Sequence, residues 1–250
     1  METSAVWSES REVRFGVIDK SNTMTLDAAL NFFQEAAICH AEILGVGRAA
    51  MARANQVWIL SRMSALVLRR PAYGEIITVR TWPRGGEKLF AIRDYDIRGA
   101  DNEPLVQARS CWVIIDMEKR RPLRPQSVMG SLPLNEGQDA LPAAVGLEER
   151  LPLHKAAERQ ALYTDVDYNS HVNNVSYIRW IEDTVDPALL EQAQRMRLDI
   201  NYLNEILPGE ITGIWSACID DPDAPLSYAF EGRKIQDGQA SFRAELRLWQ

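Results

Sequence analysis

The chain is poor in cysteine and histidine, with three of each among its 250 residues. The cysteines are Cys39, Cys111 and Cys218, and the histidines are His40, His154 and His171. They do not cluster, and no CxxC pair occurs. These observations argue against a disulfide framework and a zinc site, so we expect no metal or bound cofactor. Each cysteine is expected to be a small, buried, apolar residue.

Long hydrophobic runs and an excess of positive charge are also lacking. No apolar run approaches the roughly 18 residues that span a bilayer, so no membrane contact is expected. The net charge of -7 argues against a broad nucleic-acid-binding face. The N-terminal stretch METSAVWSESREVRF lacks the apolar centre of a secretory signal, which favours a cytoplasmic location.

The chain does contain an internal repeat. VIDKSNTMTLDAALNFFQEAA (17–37) and DVDYNSHVNNVSYIRWIEDTV (165–185) each place an aspartate and a short polar turn before a helical pattern. The aligned pairs are Asp19 and Asp167, Ser21 and Asn169, and Thr23 and His171. The first copy therefore keeps the aspartate of the second but not its asparagine and histidine. We expect one chemical site in the chain.

A second pair of segments repeats further along, RRPAYGEIITVRTW (69–82) and NEILPGEITGIWSA (204–217). Their shared Gly-Glu turn aligns Arg70 with Glu205. Each half predicts one long helix followed by an antiparallel sheet, which is an α+β arrangement. Apolar spacing predicts the helices from Thr25 to about Leu44 and from about Asn174 to Val185, with a further short helix or turn in 186–194. Alternation and β-branched content predict strands at 57–70, 75–83, 87–98 and 103–116, and at 195–204, 210–220, 225–235 and 239–249.

The stretch 126–152 is rich in glycine, proline and polar residues and shows no sustained period. It is interpreted as a linker between an N-terminal unit, 1–125, and a C-terminal unit, 153–250.

The motif DYNSHVNNVSYIRW (167–180) resembles that of the acyl-acyl carrier protein (ACP) thioesterase family, in which two hotdog units are fused. The matching residues are Asp167, Asn169, His171, Val172, Asn173, Asn174, Tyr177 and Trp180. The family also has a glutamate at the Glu205 position of YLNEI, and WVIIDMEKRRPLRP (112–125) resembles the end of its first unit. The resemblance implies two tandem hotdog units, each a long helix wrapped by an antiparallel sheet. It also implies hydrolysis of fatty acyl-ACP, which terminates fatty acid biosynthesis.

The resemblance further implies that Asp167, Asn169, His171 and Glu205 form the catalytic set. Thioester hydrolysis needs a nucleophile at neutral pH and a stabilised oxyanion. If Glu205 is partly buried, its pKa rises and it suits the role of general base, while Asn169 positions the water or the carbonyl and His171 shares in proton transfer. Asp167 and Glu205 remain interchangeable as the base, because single-unit relatives use the aspartate position. Many members follow the glutamate with a cysteine; Ile206 stands there, which excludes that nucleophile.

The remaining candidate residues concern binding. The expected substrate contacts are Asn173, Asn174, Phe33, Ala37 and Trp58. The two asparagines lie at the N-terminus of the second helix, and the positive end of this helix is expected to bind the thioester carbonyl. The other three belong to the first unit, which is interpreted as pocket and scaffold for the acyl chain. Phe33 and Trp58 are alternatively core residues.

The expected partner is ACP, through its phosphopantetheine-linked acyl chain. Basic residues suited to an acidic carrier are Lys119, Arg120, Arg121, Arg124 and Arg179, although such a run is also typical of a solvated loop. Singly, Asn169 and Ser170 are ordinary helix caps. Three other functions are considered: acyl-CoA hydrolysis by the same site, non-catalytic acyl binding, and a hotdog hydratase. The polar set at 167–171 with Glu205 argues against a pure binder, and the HVNN match argues against a hydratase. Two oligomeric states are open: a homodimer, or a monomer whose two halves pair with each other through their sheets.

Overall fold

The computed structural model describes residues 5–130, 132–135, 137–150 and 152–250. The first four residues of the predicted N-terminal unit and positions 131, 136 and 151 of the predicted linker lie outside the described residues. The chain divides into two compact units, Met1–Ala144 and Val145–Gln250. The division falls within the segment that the sequence marks as a linker.

The first unit combines one long helix with an antiparallel sheet. Its helices are α1 (Leu26–Ile43), α2 (Arg48–Arg53) and α3 (Gln126–Met129), and its strands are β1 (Trp7–Glu12), β2 (Gln56–Val67), β3 (Ile76–Glu87), β4 (Phe90–Arg98), β5 (Pro104–Asp116) and β6 (Arg121–Leu123). The strands pair in the order β1–β3–β4–β5–β2, with β6 beside the end of β5. Helix α1 begins at a Thr25 cap, whose side chain accepts a hydrogen bond from the Ala28 N–H, and it packs on β3.

The second unit repeats this plan. Its helices are α4 (Asn174–Glu182) and α5 (Pro187–Gln192), and its strands are β7 (His154–Gln160), β8 (Arg195–Tyr202), β9 (Ile211–Cys218), β10 (Leu226–Lys234) and β11 (Ala240–Trp249). The strands pair in the order β8–β11–β10–β9–β7. A one-turn 3-10 helix precedes the long helix in each unit, at Phe15–Val17 and Tyr163–Asp165.

The predicted α+β class is confirmed, and so are the eight predicted strands, with ends shifted by a few residues. Helix α4 ends at Glu182, earlier than predicted, although the apolar stripe continues to the buried Val185. Strands β1 and β7 were not predicted. They are edge strands, and their exposed polar residues lack the apolar alternation that marks a half-buried strand.

One further expectation needs correction, because Cys39 and Cys218 are exposed and only Cys111 is buried.

Each part of the predicted linker is bonded to the unit on its own side. In the first unit the Ala140 N–H donates to Asp94 at 3.0 Å, and in the second the Leu147 N–H donates to Asn201 at 2.7 Å.

None of the described helices is both long and apolar enough to cross a membrane.

Candidate active site

A closed polar turn precedes α4. The Asp167 N–H donates to the His171 carbonyl at 3.0 Å, and the Ser170 N–H donates to the Asp167 carbonyl at 3.0 Å. A bridge between Val166 and Val172 joins the two arms. Ser170 has φ of 66°, a left-handed conformation that this tight turn requires. We call residues 166–172 the polar loop.

The Asp167 side chain organises this loop. One carboxylate oxygen accepts the Asn169 N–H at 2.7 Å, and the other accepts the Asn169 side-chain amide at 3.3 Å. His171 Nδ1 lies 4.0 Å from Asp167 Oδ1. Asp167 was predicted to hold the loop, Asn169 or His171 in place. It is hydrogen-bonded directly to Asn169, whereas its distance to His171 is longer than a hydrogen bond.

Asn173 caps helix α4, since its side-chain oxygen accepts the Val175 N–H at 2.9 Å. Asn169 and Ser170 are therefore not caps, which corrects that alternative. The capping bond engages the Asn173 side-chain oxygen, and its role as a substrate contact stays a prediction. Asn174 is the first helical residue, and within the described part of the chain its backbone N–H has no hydrogen-bond partner. This N–H is a donor at the positive end of the helix.

Glu205 lies on the segment after β8, which is bonded to the polar loop. The Val172 N–H donates to the Ile206 carbonyl at 2.9 Å. Burial raises the pKa of the Tyr177 phenol, and the charges of Glu205 and Asp167 raise it further. Both carboxylates therefore lie within electrostatic reach of one buried hydroxyl. The structure thus brings Asp167, His171 and Glu205 to the same end of the second unit.

The partial burial that the sequence argument set as a condition for Glu205 is not met, because its side chain is exposed. The chain leaves β8 at Tyr202 and turns back at Gly209, and this connection projects Glu205 outward while the following Ile206 is buried.

The first unit holds the same main-chain turn without the reactive side chains. The Asp19 N–H donates to the Thr23 carbonyl at 3.0 Å, and the Asn22 N–H donates to the Asp19 carbonyl at 3.0 Å. Asn22 has φ of 58°, like the equivalent serine of the second unit. Arg70, which aligns with Glu205, donates to an Asp19 carboxylate oxygen at 2.5 Å. An ion pair thus stands where the second unit has two carboxylates.

Comparison with known proteins identifies the family. The acyl-ACP thioesterase N-terminal domain matches residues 4–128, and the acyl-ACP thioesterase C-terminal domain matches residues 152–248. The chain belongs to the acyl-ACP thioesterase family. A palmitoyl-acyl carrier protein thioesterase, chloroplastic, from Gossypium hirsutum is 30% identical over 219 residues, covering 82% of this chain and 53% of that protein. The chain thus spans about half the length of the curated relatives that it matches first.

Solved structures of similar proteins share the fold of this family member. An acyl-ACP thioesterase from Bacteroides thetaiotaomicron is 23% identical with a TM-score of 0.81, covering 98% of each chain. A 12:0-ACP thioesterase from Umbellularia californica is 20% identical with a TM-score of 0.83, covering 99% of this chain and 95% of the other. The predicted tandem hotdog fold is confirmed.

The other predicted residues lie outside the polar loop. Phe33 has no exposed surface, and its ring lies 5.1 Å from that of Tyr95, while Ala37 is also buried. Both are buried in the first unit, which agrees with the alternative of a core role for Phe33, and their contact with an acyl chain stays a prediction. Trp58 is half-buried, with its indole N–H donating to the Val46 carbonyl at 3.0 Å. The basic residues are all exposed: Lys119, Arg120, Arg121, Arg124 and Arg179.

Tyr177 belongs to the motif, but no role was predicted for it. Its buried ring packs against those of Trp180, Tyr202 and Phe242. The sequence signal that distinguishes it is the difference between the repeats, because Tyr177 aligns with Ala29.

Proposed function

We propose that the chain hydrolyses the thioester between a fatty acyl group and the phosphopantetheine of ACP, releasing the fatty acid and the carrier thiol. One observation carries this proposal. The hydrogen bond between Val172 and Ile206 holds the polar loop and the Glu205 segment together at the N-terminus of α4. A carboxylate, an imidazole, a side-chain amide and a helix-end N–H donor therefore lie in one region of a chain of this family, which supports the proposal.

The proposed reaction is direct attack by water. Glu205 removes a proton as the water oxygen bonds to the acyl carbon, and the carbonyl electrons move onto oxygen. The Asn174 N–H and the positive end of α4 stabilise this oxyanion. The oxyanion then collapses, the carbon–sulfur bond breaks, and the thiolate leaves with the electron pair and takes up a proton. His171 shares in these proton transfers, and Asn169 orients the water.

Glu205 suits the base role better than Asp167. Both Asp167 oxygens accept hydrogen bonds from Asn169, so this carboxylate is engaged in holding the loop. Among the described residues, the Glu205 side chain has neither a hydrogen bond nor an ion pair within the chain, and it is exposed to water. We therefore assign Glu205 as base and Asp167 as a positioning residue.

The test measures thiol release from matched acyl chains carried on ACP and on coenzyme A. We expect faster hydrolysis of the ACP thioester. Glu205→Gln and His171→Ala should each lower kcat by roughly 100-fold or more, the range of a lost acid–base group. Glu148→Gln, a change at an exposed glutamate of the second unit outside the loop, is the matched control.

The possible results separate the alternatives. Equal or faster hydrolysis of acyl-CoA would replace ACP by coenzyme A as the carrier. No thiol release from any thioester would favour a non-catalytic acyl-binding protein and refute the proposal. Full activity of a combined Glu205 and His171 variant would refute the assigned site.

We also propose that the turn between β5 and β6 contacts the acidic carrier. Lys119, Arg120 and Arg121 are exposed there; Lys119 lies 3.8 Å from Asp116, and Arg121 pairs with Asp116 across the two strands. A local positive charge on a chain of net charge -7 favours such a partner. A cytoplasmic location and a homodimer remain predictions.

A further inference from the structure

The peptide group that joins Ile206 to Leu207 is held on both of its polar sides. Its carbonyl, from Ile206, accepts the Val172 N–H at 2.9 Å. Its N–H, from Leu207, donates to a Glu210 carboxylate oxygen at 2.8 Å. This peptide group begins one residue after Glu205, so the two hydrogen bonds hold the main chain that carries the Glu205 side chain.

The Glu210 carboxylate is itself held by a lysine of the sheet. Lys234 is the last residue of β10, and its Nζ lies 3.0 Å from the oxygen that accepts the Leu207 N–H and 3.3 Å from the other. The Lys234 and Glu210 side chains are 12% and 24% exposed, so the pair is largely sheltered from screening by salt. Lys234 and Glu210 thus connect the Glu205 segment to β10.

The first unit holds the equivalent peptide group with a different cation. Glu75, which aligns with Glu210, accepts the Ala72 N–H at 2.9 Å. The counter-ion of Glu75 is Arg69, which donates to the two carboxylate oxygens at 2.7 and 2.9 Å. This arginine comes from the same segment as the peptide group that it helps to hold.

The second unit has a lysine of β10 in place of this arginine. Asn204, next to Glu205, stands at the position of Arg69. Gly99, which has no side chain, stands at the position of Lys234, since the N–H of each donates across the turn of the matching hairpin. A cation beside a carboxylate weakens it as a base, because the cation favours the charged form. The second unit therefore keeps the hold on the peptide group while the residue that precedes the base is uncharged.

We propose that Lys234 is a positioning residue that fixes Glu205 through the Glu210 carboxylate and the Leu207 N–H. This inference rests on the proposed function. The exposed Glu205 side chain makes no hydrogen bond or ion pair within the described residues, so its direction depends on the main chain that carries it. A displacement of about 1 Å at a reacting group is enough to cost roughly 100-fold in rate.

The test is Lys234→Met, which removes the ammonium group and keeps an unbranched side chain. We expect kcat to fall roughly 10- to 100-fold, with KM within about twofold of its original value, because the base is misplaced while binding is kept. In a Glu205→Gln background the same change should lower kcat no further, since a residue acting through the base has nothing left to position. Lys155→Met is the matched control, because it removes another lysine of the second unit that pairs with a glutamate, Glu158.

A second measurement does not depend on activity. Hydrogen exchange of the Leu207 amide, followed by NMR, should be faster in Lys234→Met than in the wild-type chain and unchanged in Lys155→Met. If Lys234→Met does not fold, Glu210→Gln tests the same ion pair from its other member, with the same expected results.

Three results would overturn the inference: an unchanged kcat, an equal loss of kcat in the presence and absence of the Glu205 carboxylate, or unchanged Leu207 exchange. If the wild-type chain hydrolyses no thioester, the proposed function fails, and the exchange result still decides whether Lys234 holds the Glu205 segment.

Discussion

Replacing Glu205 by arginine should stabilise the protein while abolishing hydrolysis. In the first unit, Arg70 and Asp19 form an ion pair at 2.5 Å, with side chains 9% and 22% exposed. In the second unit, the aligned Asp167 lies in the polar loop. The aligned Glu205 lies on the segment that the hydrogen bond between Val172 and Ile206 joins to this loop. Glu205→Arg therefore transfers to the second unit an ion pair for which the main chain is already arranged.

The size of the gain follows from exposure. A hydrogen bond to a charged group contributes about 1.5–3 kcal/mol when it is sheltered, and an exposed ion pair contributes about 0–1 kcal/mol. The Asp167 side chain is 17% exposed, but position 205 lies at the surface. We therefore expect a gain of about 1 kcal/mol, or about 2–4 °C in Tm for a chain of this size.

Scanning calorimetry of three variants provides the assay. Glu205→Gln removes the negative charge without adding a cation, so it measures relief of repulsion alone. The difference between the arginine and glutamine variants reports the new ion pair, and Asp167→Asn should cancel that difference. An arginine variant no more stable than the glutamine variant, or a gain that survives Asp167→Asn, would show that the two loops are not equivalent as argued.

Three further outcomes are expected. Lys119→Glu combined with Arg120→Glu should raise KM for acyl-ACP about tenfold at low salt and by less at high salt, while KM for acyl-CoA, the control, stays the same. An unchanged KM for acyl-ACP would exclude this turn as the carrier contact. Hydrogen bonds from Arg84 and Arg109 lower the pKa of Asp139 to about 2, so the stability that they contribute is complete above about pH 4 and is lost as the pH falls through 2. Asp139→Asn should flatten this acid loss in a Tm-versus-pH series, by a small amount because the side chain is 47% exposed. Asn173→Ala should lower the free energy of unfolding by about 1 kcal/mol in urea titrations and Asn173→Ser by much less, whereas equal losses would contradict the capping role.

The sequence predicted those parts of the fold that depend on local patterns. Helix α1 begins beside the predicted Thr25 and ends one residue before the predicted Leu44, because its apolar spacing and its cap coincide with its ends. The edge strands escaped prediction, since β1 and β7 are stabilised mainly by pairing with one neighbour and their side chains carry little hydrophobic pattern.

The candidate site was predictable in composition and less so in geometry. The motif located Asp167 and His171, and the family resemblance at YLNEI located Glu205. The exposure of Glu205 depends on how the chain leaves β8, which no local pattern records. The capping role of Asn173 rather than Asn169 likewise depends on where the helix actually begins.

The duplication separates scaffold from chemistry within one chain. The two turns share their main-chain hydrogen bonds, including the contact from Met24 to Pro71 and from Val172 to Ile206, so these bonds are required for folding whether or not a site is present. The features confined to the second unit are then the ones to assign to function: a carboxylate in place of Arg70, and a phenol in place of Ala29. Where the first unit has the Arg70–Asp19 ion pair, the second unit therefore has the exposed carboxylate of Glu205, at the cost of the stability that the pair contributes. A residue that gives up such a pair is the first one to test for a part in hydrolysis.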